Sequence, residues 1–403
     1  MNAALRKGWC PGALRPMASG DGLLVRLRIP GGALPPALAR RIADGAAAFG
    51  NGLIELTRRA NLQLRGVTEA TLPGLHALLD AEGLLDDDPA AEAVRNIMVS
   101  PLAGIDPLAV RDIRPSVAAL DARLRNDASL HHLPGKFGFL VDDGGGLPLP
   151  LGAADVAFVA TPAGFAVALG GRPAGSCAVE DLPEIAARLA HAFMARADDV
   201  SLRMASLVKR IGTEPLAGAA GLGPIPAGLT DRPIAQPLGL HDLGRRRAIG
   251  AGLAFGRLDA ARLAGLADLA EELRLTPWRA ILLTGPRLDR EMSGALAASG
   301  FILDADDPLR AVAACPGAPA CPRGSTATQL DAAAFAPWAR AHKPSGITLH
   351  VSGCAKGCAH NGAAAVTLVG RGGKYDVVRN GRASDAPLLT GVAAADLATV
   401  LAA

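Results

Sequence analysis

The feature that most constrains the fold of this chain is an internal repeat. Val156–Arg172 (VAFVATPAGFAVALGGR) aligns with Val366–Arg382 (VTLVGRGGKYDVVRNGR) at a constant offset of 210 residues, pairing Val159 with Val369, Phe165 with Tyr375, Val167 with Val377, Gly171 with Gly381 and Arg172 with Arg382. Each copy reads as strand, turn, strand, because its apolar residues alternate. A second match, with drifting offset, joins Leu34–Asp44 to Leu258–Asp268, and an apolar strand follows in both, Leu53–Leu56 in one and Ala280–Leu283 in the other. Farther on, Glu82–Pro89 parallels Ser299–Pro308. The chain is a duplicated module.

Within each half the pattern is strand, helix, strand, helix, then a longer α/β section. Strands are expected at 22–29 and 249–256, first helices at 36–48 and 259–273, and second helices at Leu75–Ala81 and Arg290–Ala298. Split βαβ units of this kind suit an α+β fold: duplicated ferredoxin-like half-domains paired about a pseudo-twofold axis, plus two related α/β domains. The expected boundaries are 1–85 for the first half-domain, 86–210 for the first α/β domain, 211–245 for a Gly/Pro/Ala-rich linker, 246–303 for the second half-domain and 304–403 for the second α/β domain.

Composition narrows the function classes. Half of the 403 residues are apolar, enough for large cores, and a net charge of +3 with 41 basic residues is too small for a nucleic-acid partner. Residues 151–171 are long and uncharged enough to resemble a membrane span, but they contain Asp155 and Pro162 and alternate as strands do, so no membrane partner is expected. Residues 1–9 hold no apolar run that could act as a secretory signal, and the expected location is the cytoplasm.

The chemistry sits in four cysteines. Cys315-x5-Cys321 and Cys354-x3-Cys358 supply the four thiolates of a cubane iron–sulfur cluster, whereas Cys10 and Cys177 stand isolated in the sequence. Small residues and prolines surround the first pair, so the backbone can wrap an inorganic core. The second pair follows the apolar run 347–351, on a loop leaving a strand. Structural zinc is the weaker reading, since its knuckles place two to four residues between paired ligands. Disulfides need an oxidising compartment, of which the sequence gives no sign.

These motifs resemble the sirohaem nitrite and sulfite reductase family, which carries C-x5-C followed by C-x3-C as its cluster signature. Thr57–Gly66 (TRRANLQLRG) resembles the family's basic strand facing the tetrapyrrole, Asn96–Asp106 its following loop, and Leu133–Phe137 its Leu-Pro-x-Lys-Phe strand. The opening stretch, Trp9 to Arg26, is similar to one branch, which hydroxylates a tetrapyrrole in aerobic cobalamin synthesis. The resemblance implies oxygen-dependent hydroxylation of precorrin-3A at C20 with closure of a γ-lactone by the ring A acetate. It also implies a [4Fe–4S] cluster held by Cys315, Cys321, Cys354 and Cys358, a mononuclear non-haem iron, and O2 as co-substrate. Two other readings stay open: a sirohaem-dependent nitrite or sulfite reductase, and a non-catalytic iron–sulfur electron carrier.

A polycarboxylate macrocycle needs fixed cations, and the arginine fork matches carboxylates bidentately. On one strand Arg59, Asn61, Gln63 and Arg65 would share a face, and Arg26 and Arg28 form a second such pair. Arg15, Arg114, Arg323 and Lys356 are further candidates, Lys356 because it lies between two cluster cysteines. Lys136 and His360 are the expected catalytic groups. His131, His132 and His350 also lie near matched motifs, but no histidine spacing forms a facial triad. The reductases use a Lys-x-Lys pair around their anion, and here the second position is Gly138. That departure weakens the case for a small bound oxyanion. Gly144–Gly146 and Gly370–Gly373 read as hairpin turns rather than phosphate cradles, so reducing equivalents are expected from an external NADH-linked donor.

Overall fold

The computed structural model describes residues 10–198, 202–226, 232–233, 235–342 and 346–402. Four five-stranded sheets carry the fold. The first has the order β1 (Met17–Ser19), β2 (Gly22–Leu27), β5 (Leu62–Val67), β4 (Leu53–Leu56) and β13 (Arg257–Asp259). The second repeats it as β11 (Gly239–Asp242), β12 (Arg247–Gly252), β15 (Ala280–Gly285), β14 (Glu272–Leu275) and β3 (Ala33–Leu34). In each sheet the fifth strand comes from the other half of the chain: Leu258 faces Ile54, and Leu34 faces Leu273. The two sheets share one core, where Val25, Ile54 and Leu64 join Ile249, Leu273 and Ile281. The helices Pro36–Phe49 and Ala260–Leu269 pack against one another, and Arg40 on the first pairs with Asp268 on the second.

The third sheet has the order β6 (Ile97–Val99), β7 (Phe139–Asp142), β8 (Val156–Thr161), β9 (Gly164–Leu169) and β10 (Arg172–Cys177), and the fourth repeats it as β16 (Val312–Ala314), β17 (Leu349–Ser352), β18 (Ala364–Arg371), β19 (Lys374–Gly381) and β20 (Leu389–Val392). In both, the first three strands run parallel and the rest antiparallel. The repeat holds to the residue: Phe158 faces Val167, and 210 positions later Leu368 faces Val377. Phe165 and Tyr375 both point into their cores, as the shared alternation requires.

The structure corrects several expectations. The helix expected over 259–273 ends at Leu269, and Glu272–Leu275 is β14. This run is rich in helix formers, but Leu273 and Leu275 alternate into the core and the strand pairs on both sides, so sheet packing overrides propensity. The counterpart of Leu53–Leu56 is therefore β14, and Ala280–Leu283 belongs to β15, the counterpart of β5. The strands expected to reach 29 and 256 stop at Leu27 and Gly252, where the 3-10 turns Pro30–Gly32 and Ala254–Gly256 steer the chain toward the opposite sheet. Within 211–245 the structure places the helix Glu214–Ala220 and β11, so this segment is more than a connection. Residues 151–171 form β8 and β9, and among the described residues no helix is long and apolar enough to cross a membrane. Residues 1–9, Trp9 included, lie outside the described residues.

Candidate functional site

Both cysteine loops leave the carboxyl ends of parallel strands, where open α/β sheets place their ligands. Cys315 follows β16, and Cys354 comes two residues after β17. The buried Cys315 Sγ accepts a 3.1 Å hydrogen bond from the Gly353 backbone N–H. A Cβ on Gly353 would lie 3.1 Å from Gly324 Cα and 3.3 Å from Gly317 Cα, so three glycines bring the two loops into backbone contact. The first loop is fixed by Cys321 N–H to the Gly317 carbonyl (2.7 Å) and Thr328 Oγ1 to the Cys315 carbonyl (2.6 Å). In the second, Ser352 Oγ donates to the Cys354 carbonyl at 2.7 Å.

Four thiols on two glycine-joined loops, with an amide aimed at one sulfur, fit a cubane cluster. Among the described residues no three His, Cys, Asp or Glu side chains converge as a site for one metal ion. A cubane does not require that, since its thiolates bind different irons and surround a volume. The expected mononuclear iron does require it, and among the described residues it has no ligand set. His360, expected beside it, lies edge-on to His350 with centroids 5.7 Å apart, its Nε2 3.4 Å from the Ala363 carbonyl.

A cleft of about 630 Å³ opens beside these loops, lined by Cys315, Lys356 and Cys358 on one side and by Arg26, Gln63 and Lys136 on the other. A polar row crosses the first sheet here, one residue per strand, because Arg26 pairs with Gln63, Gln63 with Glu55, and Glu55 with Arg257 in the strand register. Arg26 Nε donates to Gln63 Oε1 (2.9 Å), Gln63 Nε2 to Glu55 Oε2 (2.9 Å), and Arg257 Nε to Glu55 Oε1 (2.8 Å). The row fixes the Arg26 guanidinium at the cleft wall. Burial draws Arg26 down from its ordinary value, opposed by the Cys10 thiol beside it.

The remaining expected residues fall into separate groups. Gln63 and Arg65 lie on β5, but Arg59 sits in the turn before it, where Ala60 takes φ 54° and breaks the alternation. Arg59 Nη2 donates to the Lys136 carbonyl at 2.6 Å, and its Nη1 is buried without a hydrogen-bond partner among the described residues. Arg65 lines the cleft and is already engaged: it grips Asp21 through Nε and Nη2, reaches Glu55, and donates to the Ala320 carbonyl at 2.8 Å. It ties the first cysteine loop to the sheet. Arg58 does the same for the second loop, donating to the Ala359 carbonyl at 2.5 Å. Arg28 is buried against Glu92 and, with Asn61 and Arg114, lines a different cavity. Arg15 and Arg323 are exposed, and His131 Nε2 lies 3.2 Å from the Arg125 carbonyl. Gly138 is buried, and its backbone N–H donates to Asp155 Oδ2 at 3.0 Å.

Sequence reasoning missed Cys10, Glu55, Arg257 and Arg279. Cys10, isolated along the chain, lines the cleft. So does Arg279, whose side chain has no hydrogen-bond partner among the described residues. Burial, then the neighbouring Arg58, pulls it down to about 10, leaving it charged at neutral pH. Its left-handed backbone (φ 57°) matches that of Ala60 (φ 54°), a signal readable only once the repeat is aligned strand by strand.

Duplicated half-domains with cysteine loops over a cationic cleft define a nitrite/sulfite reductase-like oxidoreductase. The nitrite/sulfite reductase ferredoxin-like half domain matches residues 15–82. A precorrin-3B synthase from Sinorhizobium sp is 34% identical over 96% of this chain and 85% of its own length. A ferredoxin–nitrite reductase from Synechococcus elongatus is 28% identical over 96% of this chain and 86% of its own length. The fold is shared with the Mycobacterium tuberculosis NirA protein, at a TM-score of 0.74 and 21% identity over 94% of this chain and 79% of that one. The chain belongs to the nitrite and sulfite reductase family, in its precorrin-3B synthase branch.

Proposed function

We propose that the protein hydroxylates precorrin-3A at C20 with O2 and closes the γ-lactone of precorrin-3B, in aerobic cobalamin biosynthesis. One observation carries the reading: the thiol loops and the fixed cations open onto the same cleft. One oxygen atom enters the product, and the other leaves as water with two protons and two electrons from an external NADH-linked donor. A cluster held by Cys315, Cys321, Cys354 and Cys358 would pass those electrons singly.

The chain's own groups bind and orient. Arg26, Arg279, Lys136 and Lys356 are spread around the cleft, as the peripheral acetates and propionates of a macrocycle demand, while Met17, Leu24 and Phe255 offer apolar surface to its body. Arg65 and Arg58 are positioning residues that hold the cysteine loops against the sheet.

The test is anaerobic purification with iron and sulfide counts, then turnover of precorrin-3A under labelled oxygen. Label in a lactone product supports the reading. A sirohaem Soret band with methyl viologen-driven nitrite or sulfite reduction, and no labelled lactone, would replace it with the reductase reading.

A further inference from the structure

The pseudo-twofold relation that maps one half of the chain onto the other also maps the cleft onto a second cavity. The cleft is bounded by Glu55 on β4, the 3-10 turn at Phe255, Arg279, Ala314 on β16 and Gln329 on the helix that follows. The pairing that sets Leu258 against Ile54 and Leu34 against Leu273 gives the matching places: Arg274 on β14, the turn at Gly31, Asn61 beside the left-handed Ala60, Val99 on β6 and the helix Arg114–Asn126. All of these line one cavity of about 530 Å³, close to the 630 Å³ of the cleft.

No thiol lines the second cavity. Five guanidiniums do line it, those of Arg28, Arg95, Arg114, Arg125 and Arg274, against the carboxylates of Asp121 and Glu272. Arg28, Arg95 and Arg274 are each at most 6% exposed. Glu92 holds Arg28 at 2.7 Å, Asp86 and Asp121 hold Arg95, Glu272 holds Arg274, Asp112 holds Arg114 at 2.7 Å, and Asp121 reaches Arg125 at 3.2 Å. These pairs fix the forks in place without using every N–H, and Arg95 Nε is buried with no partner among the described residues. A self-sufficient ion-pair network needs no open volume between its members. The rest of the wall combines Asn61 and Asn126 with the apolar Ile29, Ile97, Val99 and Val117 and the exposed Ala118 and Ala122.

We propose that this cavity is a binding site for a polycarboxylate anion with a carbon body, a class that includes both carboxylate-bearing tetrapyrroles and small tricarboxylic acids. The argument rests on the duplication and the guanidinium set, and stands apart from the oxygen-dependent reading of the cleft.

Equilibrium binding of coproporphyrin III and of citrate to the full-length holoprotein tests it, in the unaltered chain, in Ala122→Trp and in Arg26→Gln. Ala122 is exposed and faces the cavity from its helix, so the indole fills the space without entering the core; circular dichroism checks the fold. The expected result is a binding class, for one probe or both, that Ala122→Trp weakens about tenfold or more and Arg26→Gln leaves intact. Loss confined to coproporphyrin assigns the site to tetrapyrroles, and loss confined to citrate assigns it to small acids. If Ala122→Trp changes the binding of neither probe, the second site is overturned. A coproporphyrin class weakened by Arg26→Gln alone also overturns it, while leaving the proposed function of the cleft standing.

Discussion

The third and fourth sheets are copies with opposite fates. Ser100 N–H donates to the Val141 carbonyl, and in the copy Cys315 N–H donates to the Val351 carbonyl. Asp143 N–H donates to Ser100 Oγ at 2.9 Å where Gly353 N–H donates to Cys315 Sγ at 3.1 Å. The backbone is thus the same around an oxygen in one lobe and a sulfur in the other. The lobes differ in what fills the space beyond: in the first, Arg232 reaches Asp142 and the Gly145 carbonyl, while in the second three glycines leave the loops open around their thiols. What separates the lobes is less the fold than the side chains that the shared loops carry.

The sharpest break of this comparison is the thiol itself. Cys354→Ala is expected to remove nearly all iron and sulfide from anaerobically purified protein, whereas Ser100→Cys adds none; elemental analysis reads both, and a full iron count in the first variant would refute the assignment. Next comes the tie between sheet and loop. Arg65→Ala strands Asp21 and Glu55 beside a buried gap, and should lower unfolding free energy by about 3–5 kcal/mol, read from urea melts.

Among the core positions at which the two lobes differ is the one held by Leu140 in the first and His350 in the second, both fully buried. Burial, then His360 and Arg58, pushes His350 from its usual 6.5 to about 4. The unfolded chain therefore takes up this proton first, so the stability is fully present above pH 6.5 and is lost as pH falls through 4. The loss is up to about 3 kcal/mol. His350→Leu makes the second lobe like the first and should flatten that acid limb in metal-free protein; an unchanged slope between pH 7 and 4.5 would contradict it. Smaller still, Arg279→Gln removes one unpaired cation and should weaken coproporphyrin binding about tenfold, ~1.4 kcal/mol, with no change in melting. Least of all, Arg40→Ala breaks an exposed pair between the halves and should alter stability by less than about 1 kcal/mol.

Legibility followed the range of the interaction. The hairpins β8–β9 and β18–β19 were readable because their alternation is local, and the two cysteine pairs because their spacing is. The boundary near 270 was not, since Glu272–Leu275 is held as a strand from both sides, by β15 and by Ala33–Leu34, more than two hundred residues away. The face expected to carry Arg59, Asn61, Gln63 and Arg65 divides: the left-handed Ala60 sets Arg59 in the turn before the strand, and Asn61 lines the other cavity. Glu55 carries no motif, and Cys10 lies in the opening stretch without a spacing partner. They matter through the strand register and through the fold of the first described residues onto the cleft.

The crossing of β3 and β13 has a consequence of its own. Each lobe borrows its last edge from the other, so a half-length chain with this pattern would show an unfinished border and could complete it only by embracing a twin. Joining two such twins end to end keeps the embrace while freeing one copy to lose its thiols.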